Sequence, residues 1–524
     1  MKKTLAIFIL SFSFFAIYAQ KTKTYTNPDK LYYDGKEKYE LKQYNAAFRY
    51  LDEYLQSQHK DLSPYYADAE YYMVSSAYEM RRKDAGKRLE KFVQNNPHSS
   101  HLNRVRFLQG SLNYERSRYK NAVDDYFSEC DPSILSKEEQ SDFYFRTGYC
   151  YLQLQEYDKA KEAFQWLISV KSKYELSAFY YNAYIDYRQK KYDAALSTFI
   201  NLQSYPEYDS IVSYYIVQIY HAKKMNEQVL LFGQKVIDKY PENQNNAEIY
   251  RIMGECYFQK KDYKNTIKYF TLYEKGSEQV VRNDMYMLGI AYFYSEDCDN
   301  AISRLKKVTS VDDVMAQNAY LHLGSCYLKK DDKVSARLAF ESASRLDFDK
   351  NVQEEALYNY ALIVYEQSYS PFNESVIAFE KFLSTFPESR YADSVYDYLL
   401  NVYLTTKNYQ AAYESIQKIK SKNPKILEAR QRVLYCMGIQ QFTETEYDKA
   451  ISYFSQSLED GKSNFDVEAS TLFWRGEAYY RKKDYKKAFE YYKLLANQGD
   501  AFAQFKLGKF YYTHTRGTLV IRIR

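Results

Sequence analysis

Asp142 to Leu167, DFYFRTGYCYLQLQEYDKAKEAFQWL, is the stretch whose reading decides the fold. Its fixed points are Gly148, Tyr151, Tyr157, Ala160 and Phe164, so that an aromatic follows the glycine by three residues and an alanine follows it by twelve. The same frame returns as Gly254, Tyr257, Tyr263, Thr266, Phe270, as Gly324, Tyr327, Lys333, Ala336, Phe340, and as Gly476, Tyr479, Tyr485, Ala488, Tyr492. A glycine inside a helix costs about 1 kcal/mol relative to alanine, so its recurrence needs a packing reason, which two closely crossing helices supply.

Aligning on the glycine or its small or aliphatic substitute gives Gly35, Gly110, Gly148, Ala183, Val217, Gly254, Gly289, Gly324, Ala361, Leu400, Gly438, Gly476 and Gly508. The first gap, 75 residues, holds a degenerate copy around Tyr71 to Phe92, near 66–97; the later steps run from 32 to 39 residues. Roughly fourteen units result, the last incomplete, at the period of helix-turn-helix arrays. Within the Asp142 unit, Tyr144, Thr147, Gly148 and Tyr151 share one helical face, and Ala160, Phe164 and Leu167 share a second. The turns between them read Gln-Glu-Tyr-Asp, Lys-Lys-Asp-Tyr (260–263, 482–485) or Lys-Lys-Tyr-Asp (190–193), where aspartate can satisfy the free amides of the second helix. Pro97, Pro241, Pro387 and Pro424 mark linkers to following units.

Composition agrees with an all-helical chain: 524 residues hold only 15 Gly and 9 Pro, with 46% apolar and 27% charged residues. Lys+Arg number 73 against 68 Asp+Glu. Removing Lys2 and Lys3 with a leader takes the net charge from +5 to +3, far from the basic stripe that binding a phosphate backbone requires, so nucleic acid is not an expected partner. The leader is residues 1–19: two lysines, an apolar run shorter than the roughly 20 residues of a spanning helix, and small Ala19 before polar sequence. A soluble, exported protein of the periplasm or outer envelope is expected, with a short linker over 20–30 and no integral membrane insertion.

These units resemble the tetratricopeptide repeat family, in which small residues stand at the places of Gly148 and Ala160 and aromatics at those of Tyr151, Tyr157 and Phe164. The resemblance implies a right-handed α-solenoid over 31–512. Ser370-Pro371-Phe372 through Ala378–Leu383 to Phe386–Ala392 is similar to the subtype found in bacterial envelope proteins that serve outer-membrane assembly and TolA binding, and Asp484–Ala488 with Gln498–Ala501 and Leu507-Gly508 is similar to Sel-like repeats. The tail departs: after Tyr512 the sequence THTRGTLVIRIR is β-branched and basic where a second helix belongs, so 513–524 reads as an unstructured end or as the mark of truncation of a longer protein, the second being favoured.

Catalytic signals are lacking in the sequence. His98-Ser-Ser-His101 is the closest histidine pair and lies in a linker; Asp460-Gly461-Lys462-Ser463 ends like a phosphate loop, but Gln456 stands where its first glycine belongs. No enzyme activity, cofactor or metal is expected. The six cysteines read as buried free thiols, with Cys298 and Cys326 the pair considered for a bridge because their units adjoin.

The excess is tyrosine, 62 residues. Many hold the core offsets; a second stripe, three before and four after the glycine, shares one face of the first helix and includes Phe145, Tyr180, Tyr187, Tyr214, His221, Phe258, Tyr286, Phe293, Tyr358 and Tyr365. By the family resemblance that face lines a concave groove, where a peptide or partner helix would lie, or sugar rings would stack; the alternative is burial against the next unit. The expected function is a non-catalytic scaffold binding protein in the cell envelope, possible roles being outer-membrane assembly or transport complexes, with glycan binding as the alternative and an unrecognised enzyme as the third.

Overall fold

The computed structural model describes residues 27–515 apart from 61, 368–370, 420–422 and 460–463. The leader, most of the linker, the phosphate-loop-like turn and residues 516–524 of the tail therefore lie outside the described residues. Helices follow one another from Lys30–Glu40 to Ala501–Thr515, and no strand occurs among the described residues. The fold is an all-α helical repeat solenoid. Its chain divides into two compact units, Met1–Pro241 and Glu242–Arg524. In both, each helix packs on its successor, and first helices of consecutive repeats also touch.

The glycine recurs because the second helix of its own repeat occupies the space a side chain would need. A Cβ on Gly438 would lie 2.4 Å from the Phe454 ring, on Gly324 2.6 Å from Phe340, and on Gly289 2.7 Å from Leu305. The partner stands sixteen residues on in each case. At Gly110 the spacing is seventeen, and the second helix compensates: after a short turn at Tyr119–Asn121 it runs as π-helix over Ala122–Tyr126, and the additional residue brings Phe127 to within 2.5 Å of the same place.

The turn between the two helices is equally regular. In eleven described repeats a left-handed residue stands seven residues after the register position, such as Lys42 (φ 60°), Gln155 (63°), Lys190 (60°), Lys261 (58°) or Lys483 (64°). Its successor's amide reaches back across the helix end, as in Lys191 N–H to Asp186 C=O at 2.8 Å, closing a Schellman motif. Where aspartate follows directly, it caps the second helix: Asp262 accepts from the Asn265 amide at 3.1 Å and Asp332 from the Ser335 amide at 3.0 Å. The Lys-Lys-Tyr-Asp turn works differently from the sequence expectation. Asp193 is already inside the helix Tyr192–Leu202 and pairs instead with Lys223 of the following repeat, as Asp299 pairs with Lys330 and Asp448 with Lys482.

The same left-handed marker fixes the degenerate repeat. Arg81 (φ 53°) follows Val74 by seven, so Val74 takes the glycine's place, between helices Tyr66–Glu79 and Ala85–Asn95. Tyr71 and Tyr78 then hold the two stripe offsets.

Candidate functional site

With that register the first three repeats carry six stripe residues, Tyr32 and Tyr114 with Tyr39, Tyr71, Tyr78 and Phe107, of which the last four face one another. These four line a cavity of about 350 Å³ together with charged residues from the neighbouring first helices, chiefly Arg104 and Arg146. Arg104 donates through Nε and Nη2 to Glu139 Oε1, at 2.8 and 2.7 Å. Arg146 donates to the Tyr78 hydroxyl at 3.1 Å, which in turn donates to Glu115 Oε1 at 3.0 Å. The Arg146 guanidinium also lies 5.8 Å from the Phe107 ring centre and 5.7 Å from that of Tyr114.

The cavity is polar and built from groups that keep their protons or charges. Burial pushes the phenols of Tyr39, Tyr71 and Tyr78 up, so all three stay neutral hydroxyls at physiological pH. Burial also pushes the Glu79 carboxyl up, against the pull of Arg146. Tyr71 is 1% exposed, and its hydroxyl lies near those of Tyr39 and Ser75 without a well-formed hydrogen bond. Its ring stacks on His101 at 3.9 Å, and His101 Nε2 meets Asp68 Oδ1 at 2.9 Å, which gives this histidine a packing role. No group of His, Cys, Asp and Glu among the described residues is arranged to hold a metal ion. What the cavity offers is guanidinium donors, phenol hydroxyls and a carboxylate at fixed places, which suits hydrogen bonding to a polar chain.

The ten stripe residues singled out in the sequence are all half-buried, and most pack one edge on aromatic neighbours. Phe145 stacks on Tyr174 at 4.2 Å. Tyr180 lies 5.8 Å from Tyr208 and 6.4 Å from Tyr215, Tyr187 5.3 Å from Tyr215, and Tyr214 5.3 Å from the same ring. His221 ends the helix Pro206–Ala222 one repeat further on. Phe258 meets Tyr263 at 6.3 Å, and burial raises the Tyr286 phenol. Phe293 meets His322 at 4.4 Å, Tyr358 stacks on Tyr391 at 4.2 Å, and Tyr365 lies 5.1 Å from Tyr398. These residues are distributed along both units, and none of them lines the cavity at Arg104 and Arg146. The cavity falls instead on Tyr71, Tyr78, Arg104 and Arg146, which the sequence reading did not select.

Models of the tetratricopeptide repeat match residues 142–169, 286–349 and 439–504, in register with the glycine sockets and the turns just described. The chain carries tetratricopeptide repeats. A TPR repeat-containing protein of Methanocaldococcus jannaschii is 23% identical over 369 residues, covering 66% of this chain and 62% of its own length. This chain thus spans less than two thirds of that relative. Among solved structures, YrrB, a TPR protein with an unusual peptide-binding site, is 17% identical with a TM-score of 0.32, covering 38% of this tetratricopeptide chain and 97% of its own. A tetratricopeptide repeat protein from Parabacteroides merdae is 14% identical with a TM-score of 0.30, covering 49% of this chain and 98% of its own. Tetratricopeptide repeats generally serve as non-catalytic scaffolds for protein–protein interaction, and no described helix here is long and apolar enough to cross a membrane.

Proposed function

We propose that this chain is an exported, non-catalytic scaffold of the cell envelope that holds an extended segment of a partner protein against the first helices of its N-terminal repeats. A place in outer-membrane assembly or a transport complex fits that reading. The observation that carries it is the cavity at Tyr39, Tyr71, Tyr78 and Arg146: aromatic walls bury side chains while guanidinium, hydroxyl and carboxylate groups take the hydrogen bonds of a backbone. The glycan alternative draws less support, because Phe145 and Tyr358 already have ring faces stacked on Tyr174 and Tyr391.

A photo-crosslinking residue at position 108, beside the cavity, tests the proposal on the full chain in envelope extract. Expected is a protein adduct that the Arg146→Ala variant loses and a crosslinker at exposed Leu338 never forms. Polysaccharide adducts, or equal capture at both positions, would overturn it. Export is tested separately by intact mass, which should place the mature N-terminus at Gln20.

A further inference from the structure

Cys298 and Cys326 occupy repeat positions that meet across a junction between consecutive repeats of the second unit. Cys298 stands nine residues after Gly289, where Tyr157, Tyr192 and Tyr263 stand in their repeats; Cys326 follows Gly324 by two, as Cys150 follows Gly148 and Cys256 follows Gly254. Elsewhere the side chain at the first position is not a cysteine. Here alone in the repeat frame a thiol faces a thiol.

The junction holds the two sulfurs together. Cys298 opens the helix Cys298–Val308, and Cys326 lies in the last turns of Val314–Lys329. Ion pairs clamp the junction on both sides of Cys298: Glu296 with Lys329 at 3.7 Å, and Asp299 with Lys330. Lys329 and Lys330 follow Cys326 by three and four residues and so leave the helix on its face. Both cysteines belong to one apolar cluster, Cys298 8% and Cys326 0% exposed, and the two thiols adjoin within it. They are free thiols in the structure.

We infer that Cys298 and Cys326 are a redox modification site, closing to a disulfide that staples these two repeats when the chain meets a small-molecule disulfide. Cys298, at the edge of the cluster, loses its proton and attacks one sulfur of the oxidant, releasing one thiol and forming a mixed disulfide. Cys326 then loses its proton and attacks the Cys298 sulfur, releasing the second thiol. Two protein thiols are oxidised, one disulfide is reduced to two thiols, and the protons leave with them. Cys298 is the more accessible of the two, 8% against 0% exposed, so the first step belongs to it; burial and the adjoining Cys298 push the Cys326 thiol up, and closure depends on proximity. The bridge closes a loop containing one whole second helix and the first helix of the next repeat, restricting the unfolded chain.

The test is incubation of the reduced full chain, still folded, with oxidised glutathione. Expected are loss of two titratable thiols out of six, a mass lower by two hydrogens, a non-reduced peptide joining residues 298 and 326, and a melting temperature raised by several degrees and restored by dithiothreitol. Cys298→Ser should abolish all four while keeping the circular dichroism of the parent. A glutathione adduct that persists on Cys298, bridges among Cys150, Cys256 and the others, or a full thiol count after prolonged incubation would overturn the inference. The outcome is independent of the partner-binding cavity, which lies in the other unit.

Discussion

Tyr71 and Tyr180 stand at the same place in their repeats, three residues before Val74 and Ala183, and meet opposite surroundings. Around Tyr71 the neighbouring first helices supply Arg104 and Arg146, and the stripe stays open as a cavity. Around Tyr180 its own helix supplies Tyr181 and the next first helix supplies Tyr215, the latter stacked on Phe199 at 5.3 Å, and rings fill the space. The offset two before the register position differs between the regions: it is Leu108 and then Arg146 in the repeats after Tyr71, and Tyr181 and then Tyr215 in the repeat of Tyr180 and the next. One repeat frame therefore yields an open polar cavity or a closed aromatic block, according to whether residues packed beside the stripe carry charge.

The largest effect expected from breaking this contrast is at the closed block. Replacing Tyr180 and Tyr187 together by alanine removes several ring contacts and should cost about 3–5 kcal/mol in urea unfolding of the full chain. A loss below about 1 kcal/mol would show that these rings are groove rather than core. Arg146→Ala should cost less, about 1–3 kcal/mol, because it strips the Tyr78 and Glu115 network of its cation, and should weaken partner capture more than stability.

Two buried aspartates repeat the contrast between satisfied and open polar groups, and give it a pH dependence. Asp209 accepts from Tyr240 at 2.6 Å and Ser213 at 3.1 Å and pairs with Lys239; despite the opposing effect of burial, these partners hold its carboxyl below the usual value. Asp284 has only a poorly formed contact with the Tyr273 hydroxyl; its cation, Arg251, lies 3.9 Å away and also serves Glu248 and Glu255, and burial raises the carboxyl to about 6. A depressed group adds stability above its unfolded value that is lost as pH falls; a raised one adds stability below about 4 that is lost as pH rises through about 6. Asp284→Asn should therefore raise the melting temperature at neutral pH by a few degrees and flatten its decline between about pH 4 and 6. An unchanged profile in that window would assign the decline to another group. The smallest effect is at Tyr71→Phe, which deletes an unsatisfied hydroxyl and should be neutral or stabilising by up to about 1 kcal/mol. A clear loss of stability there would mean that the hydroxyl has a partner.

The fold was legible because each repeat states its glycine and its aromatic at fixed spacing, and these are the two surfaces in contact, as at Gly324 and Phe340. The cavity was not, since two of its walls belong to the repeat whose glycine place is taken by Val74, and only the left-handed Arg81 gives its register. One signal was nonetheless present. Arg146 is an arginine at an offset where Leu108, Tyr181, Tyr215, Ile252 and Met287 stand in other repeats. The capping role given to Asp193 failed for a local reason: moving the aspartate two residues along the turn carries it past the helix start and toward Lys223.

The left-handed residue that closes eleven of the described first helices is lysine, arginine, glutamine, glutamate, aspartate, serine or threonine, and not glycine, with φ between 53° and 65°. A side chain there costs about 1–2 kcal/mol, and glycine would relieve it at the expense of about 0.5–1 kcal/mol of unfolded-chain entropy. Ten or so such turns thus leave the array deliberately short of its attainable ruggedness. Thermal hardening of this scaffold would start at Lys190 and Lys261, with the helix interfaces left untouched.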